Sequence, residues 1–179
     1  ETVAKHAVPT FVPDVEFLQQ ALGFRIGNYG MSKWSDLFTR RQLVALTTFS
    51  DLVQEAIEKC RQDALTAGLA DDGTGLDAGG SGATAYAQAV GVYLAFAVDR
   101  MVDRHSSIAT WDSSPSKLQL RNTFARQAIP MTWDFGDGNV FCMSSGTWTP
   151  SVQWVAMAIE SFPGVGAGLG VQADASTQS

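Results

Sequence analysis

The sequence predicts a mainly helical, bundle-like fold with a short β-strand at its C-terminal end. Three observations predict it. Apolar residues recur at helical spacing, with no Gly or Pro, between Thr39 and Gly68. A second stretch of this kind, rich in Ala, runs from Thr84 to His105. Between the two lies one Gly- and Asp-rich connection, so two long helices follow each other and can pack face to face. With 179 residues, 45% of them hydrophobic, the chain can bury a sizeable core within one domain.

In chain order, the first 31 residues contain Pro9, Pro13 and several Gly and read as extended or irregular, with a short helix over Val15 to Leu22. Ser32 is placed to cap a short helical turn near Trp34 and Phe38. Thr39 and Gln42 form a capping box, in which each side chain satisfies a backbone N–H that the first helical turn leaves free. Leu43, Leu46, Val53, Ile57, Cys60 and Ala64 then make the inward stripe, widened by Phe49, Leu52 and Ala56, and Gly68 stops the helix. Glu55 and Lys59 stand four apart on the outer side.

Residues 69–83 form a flexible surface loop. Its glycines invite a phosphate-cradle reading, but the GK[ST] ending is missing and no strand precedes it. Asp71, Asp72 and Asp77 lack the alternating spacing of an EF-hand. In the second helix Tyr86, Val90, Tyr93, Leu94, Ala97, Met101 and Val102 give a broad apolar face, and Gly91 permits close approach to the first helix. Asp99, Arg100, Asp103 and Arg104 are spaced to pair near its end, where His105 would gain from the helix dipole if charged.

Ser113-Ser114-Pro115 reads as the start of a third helix, which would carry Leu118, Leu120, Phe124, Ala125 and Ala128 and stop near Pro130. Met131 to Phe135 would begin another turn, and Gly136 to Trp148 is loop. Thr149-Pro150 caps a last helix with Val152, Val155, Ala156 and Ile159 inward and Pro163 at its end. Leu169 to Ala173 is the expected strand.

A net charge of −6 and a pI near 4.7 argue against a dedicated nucleic-acid clamp, which needs Lys and Arg against phosphates, but leave room for a local basic face. One region has that character: Ser113 to Thr132 holds Lys117, Arg121 and Arg126 and no acid. Lys117, Arg121, Asn122 and Arg126, with Trp133 nearby, are therefore the candidate DNA-binding residues: cations for phosphates, Asn and an aromatic for bases. The plainer reading pairs Arg126 with Asp134 and puts Trp133 in the core. Cys60 and Cys142 show no ligand spacing, which suggests free thiols in a reducing, cytoplasmic setting, and no metal site is expected. No Ser/His/Asp or Cys/His arrangement points to nucleophilic catalysis, and no apolar run is long enough to span a bilayer. With only 17% charged residues, five Trp and ten Phe, the chain has either a well-filled core or a surface that faces more protein.

Four stretches carry a resemblance. They are GNYGMSKWSDLFTRRQLVALTTFSDLV (Gly27 to Val53), YAQAVGVYLAFAVDRMVDRHSS (Tyr86 to Ser107), LQLRNTFARQAIPMTWDFGDGN (Leu118 to Asn139) and VQADAS (Val171 to Ser176). In this order they resemble the large prokaryotic adenine-specific DNA methylases that carry a Zn-ribbon. The chain departs from that family at Gly136 to Phe141, where Glu-Ala-Asn-Pro-Phe would stand. The resemblance implies a helical middle region inserted in or packed on an α/β methyltransferase core, with residues 168–179 opening a core segment. An Asp-Pro-Pro-Tyr-type motif would then follow shortly after Ser179, and the start at Glu1 fits a piece of a longer chain. It implies S-adenosylmethionine as cofactor of the parent enzyme, DNA and the rest of the methylase as partners, and no activity for this region alone. Asp174 resembles the acidic residue that accepts a hydrogen bond from the cofactor's adenine. An Asp that merely caps a turn is the other reading.

Overall fold

The computed structural model describes residues 8–18 and 24–163, and these are mainly helical. Three helices dominate: α1 (Arg40–Thr66), α2 (Ala83–Val102) and α3 (Trp148–Glu160). A two-residue antiparallel pair, β1 (Trp111–Asp112) and β2 (Gln119–Leu120), joins Trp111 to Leu120 and Asp112 to Gln119. Short 3-10 turns cover Arg25–Tyr29, Trp34–Leu37 and Leu76–Ala78. No helix of the described residues is long and apolar enough to cross a membrane.

Helix α1 begins as its sequence dictates. Thr39 Oγ1 accepts from the Gln42 N–H at 3.3 Å, and Gln42 Oε1 accepts from the Thr39 N–H at 2.8 Å. The helix ends just before Gly68, whose φ of +91° suits the αL position that follows a helix. Leu46, Phe49 and Val53 are buried against Val98 and Met101 of α2, with Trp148 and Val140 packed on the cluster. At Gly91 the two helices pack closely: a Cβ there would lie 2.5 Å from Ile57 Cγ1. Two expected contacts shift. Leu52 is exposed, and Lys59 pairs with Asp63 at 2.9 Å, one turn on from itself, instead of Glu55.

The 69–83 connection returns to the helices through specific bonds. Asp71 accepts from both the Thr84 N–H (3.0 Å) and the Thr84 hydroxyl (2.8 Å), which satisfies donors at the start of α2 and holds the Asp71 carboxyl below its ordinary range. Helix α2 ends at Val102, three residues short of His105. The expected Asp–Arg pairs are not made among the described residues. Asp103 instead accepts from the Phe124 N–H at 2.8 Å and from Asn122, and Arg104 donates to the Leu120 carbonyl at 2.5 Å.

A second apolar cluster, Phe17, Ile26, Leu37, Ile108 and Ile129 with Trp34 against it, packs the N-terminal segment onto the chain after α2. Residues 15–18 are not helical as expected. Their backbone pairs sideways instead, Phe17 N–H to the Ser32 carbonyl (2.8 Å) and Trp34 N–H to the Val15 carbonyl (3.0 Å). Residues 19–22 of that expected helix lie outside the described residues, as does the strand expected at 169–173.

The expected third helix from Ser113 is absent, and the reason is local. Asp112 Oδ1 takes the Ser114 N–H (3.1 Å) and hydroxyl (2.6 Å), an Asx turn that folds the chain back on itself instead of launching a helix. Leu118, at φ +43°, completes the reversal into β2. Met131 to Phe135 is not helical either. The last helix is present but is entered through Thr147, with Pro150 in its first turn; the Thr147 hydroxyl donates back to the Cys142 and Ser144 carbonyls.

His105 is 2% exposed beneath the 136–147 loop, its Nε2 3.0 Å from the Gly146 carbonyl. Burial pushes its pKa below the usual value, outweighing that hydrogen bond. A neutral His in the fold contributes stability that is full above the unfolded value near 6.5 and is lost as pH falls through it toward the lower folded value. The melting temperature is therefore expected to drop between pH 7.5 and 5.5, and to drop less in His105→Gln. Equal drops would mean that His105 does not carry the effect. Gly146 has φ +86°, and a Cβ there would lie 2.8 Å from Arg104 Cβ. Gly146→Ala is expected to cost about 2 kcal/mol in chemical denaturation, from left-handed strain and overpacking together.

Candidate nucleic-acid interface

The hairpin places the basic residues. Asp112 and Gln119 are paired across β1 and β2, and the ladder runs one step further, with Arg121 N–H donating to the Thr110 carbonyl at 2.8 Å. Beyond β2 the chain is pinned by the end of α2. Thr123 N–H donates to the Asp103 carbonyl (2.7 Å), and the Thr123 and Ser106 hydroxyls share a buried 2.7 Å hydrogen bond. Lys117, Arg121, Asn122 and Arg126 thereby line one cleft of about 440 Å3, with Asp112, Thr110 and Thr132.

At its base sits Asp112, 6% exposed. Arg121 Nη2 is 3.2 Å and Lys117 Nζ 3.9 Å from its Oδ2. The two Ser114 hydrogen bonds hold this carboxyl below its ordinary range, helped by Arg121 and then Lys117, against the opposing effect of burial. The cleft is thus lined by one ionised carboxylate and three cations, and keeps an excess of positive charge in a chain of net charge −6. Arg126 makes no ion pair with any described residue, Asp134 included. Such a lining suits an anionic oxygen, which Arg121 and Lys117 can share with Asp112 and Arg126 can meet directly.

The sequence-expected residues divide. Lys117, Arg121, Asn122 and Arg126 are brought together, although by a hairpin and an irregular segment instead of a helix. Trp133 is not in the cleft. It is 75% exposed, which removes the expectation of a core Trp, and it meets Tyr29 edge to face at 5.1 Å. Asn122 is held by Asp103, so one of its amide hydrogens is already used. Asp174 lies outside the described residues. Sequence reasoning missed Asp112, whose signal was the Asp-Ser-Ser-Pro turn pattern, and Asp103, for which no local signal exists.

The described residues do not fit S-adenosylmethionine by themselves. Their only sheet is the antiparallel pair β1–β2, with no parallel strands whose carboxyl ends could hold such a cofactor. Among them, no three His, Cys, Asp or Glu side chains are grouped to hold a metal ion. The fold and cleft define a mainly helical chain with a local basic recess. Compared with known proteins, the chain matches no family, no curated protein and no solved structure.

Proposed function

We propose that this chain is a non-catalytic helical region of an S-adenosylmethionine-dependent DNA adenine N6-methyltransferase, working in the cytoplasm and shaping the DNA- or base-entry side of the parent enzyme. The observation that carries the DNA part is the cleft lined by Lys117, Arg121 and Arg126, the first two of which pair with Asp112. In this reading Lys117 and Arg121 leave Asp112 partly for a phosphate oxygen, Arg126 takes a second, and the exposed Trp133 offers a face for an unstacked base. The methyl group comes from the cofactor and is transferred on residues outside this region. Asp174 accepts a hydrogen bond from the cofactor's adenine amino group, so Asp174→Ala weakens cofactor binding by the intact parent. The experiment is a titration of labelled duplex DNA at several salt concentrations. Affinity that falls steeply with salt supports the DNA role; affinity that is negligible at 50 mM salt removes it.

A second reading is a helical scaffold without a nucleic-acid role. It is favoured by the apolar side chains left in the open on α2 and α3: Val92, Phe96, Trp154 and Met157 are each about half exposed. Self-association that is insensitive to salt, with no affinity for duplex, would support it.

A further inference from the structure

Two of the three cations that line the basic cleft already hold an anionic oxygen of the chain itself. Asp112 Oδ2 lies 3.2 Å from Arg121 Nη2 and 3.9 Å from Lys117 Nζ, and among the described residues these two are its only partners. The carboxylate is the fixed member of the group. Its side chain is 7% exposed, and its backbone is paired to Gln119 across β1 and β2. The cations are the movable members, with side chains 63% exposed for Arg121 and 57% for Lys117.

The two oxygens of Asp112 divide their tasks. Oδ1 closes the turn, taking the Ser114 N–H at 3.1 Å and the Ser114 hydroxyl at 2.6 Å. An Asn would do the same with its carbonyl oxygen, so the turn needs an acceptor and not a charge. The charge is felt at Oδ2, inside the cleft. The Ser114 bonds, then Arg121 and Lys117, hold this carboxyl below its ordinary range, so it stays ionised at neutral pH.

We propose that Asp112 is a built-in competitor for this cleft: its carboxylate holds Arg121 and Lys117 in the free chain, and a phosphate oxygen binds only by drawing them away. Arg126, which lines the same cleft and pairs with no described residue, needs no such release. Asp112 therefore keeps the phosphate affinity of the cleft low, and removing its charge raises that affinity. The inference rests on the reading of the cleft as a phosphate site. It does not depend on the methylase reading.

The test compares Asp112→Asn with the original chain against two probes, labelled duplex DNA by anisotropy across a salt series and inorganic pyrophosphate by calorimetry. Freeing one unit of positive charge should steepen the slope of log duplex affinity against log salt by about 0.9. The variant should then bind duplex about 15-fold more tightly at 50 mM salt, with the gap closing toward 1 M, and should also bind pyrophosphate more tightly. Two controls separate this from other causes. Asp134→Asn removes the same charge from an exposed residue outside the cleft lining, and should gain less than about three-fold. Ser114→Ala loosens the turn but keeps the Asp112 charge, and should change affinity by less than about two-fold. If Asp112→Asn does not fold, Asp112→Ser, whose hydroxyl can close the same turn, takes its place. An unchanged slope where duplex binds, an equal gain in either control, or no binding of either probe by the variant overturns the inference. Failure of the DNA reading alone looks different: neither chain binds duplex, while the variant still binds pyrophosphate more tightly than the original.

Discussion

Replacing Lys117, Arg121 and Arg126 together with alanine is expected to remove most of the salt-dependent duplex affinity of this chain. Each phosphate neutralised by a cation changes the slope of log affinity against log salt by about −0.9. Three such contacts give a slope of about −2.7, or roughly a 40-fold loss between 50 and 200 mM salt. Extrapolated from 1 M, where counterion release contributes nothing, the same three are worth about 500-fold at 0.1 M. That figure is an upper bound, because Asp112 already engages Arg121 and Lys117. The single variants should not be equal. Arg126→Ala removes a cation that no described residue pairs, whereas Arg121→Ala also strips a partner from Asp112. Fluorescence anisotropy across a salt series checks this. A triple variant with the slope of the original chain would show that the cleft does not contact DNA.

Met101→Ala is expected to be the most damaging single core truncation, costing about 3 kcal/mol. Met101 is fully buried in the last turn of α2, packed against the α1 stripe among Leu46, Phe49, Val53 and Val98. Its removal leaves a void that the α1–α2 contact cannot close without moving both helices. For a domain of this size the melting temperature should fall by about 6–12 °C. Met101→Leu nearly conserves volume and should cost less than about 1.5 kcal/mol. Thermal melts of the two variants make the check, and similar melting temperatures would mean that the site is not tightly packed.

The sequence by itself determined the parts whose physics is local. The Thr39–Gln42 box, the α1 stripe, the stop at Gly68 and the close approach at Gly91 need only residues three or four apart, or the missing Cβ of one glycine. The concentration of cations between Ser113 and Thr132 was legible for the same reason: a charge census needs no fold. Only the tertiary structure decided the path of that segment. A helix-start pattern at Ser113-Ser114-Pro115 lost to Asp112, which claims Ser114, and to Asp103, Arg104 and Ser106 at the end of α2, which bind residues 120–124 from far along the chain. Likewise nothing near Trp133 in sequence foretells its contact with Tyr29, or near His105 its bond to Gly146, 41 residues on. Periodicity and caps report what neighbours along the chain do for one another. Where a buried polar group finds its partner is settled by the whole fold, because the alternative is a group cut off from water and unpaired.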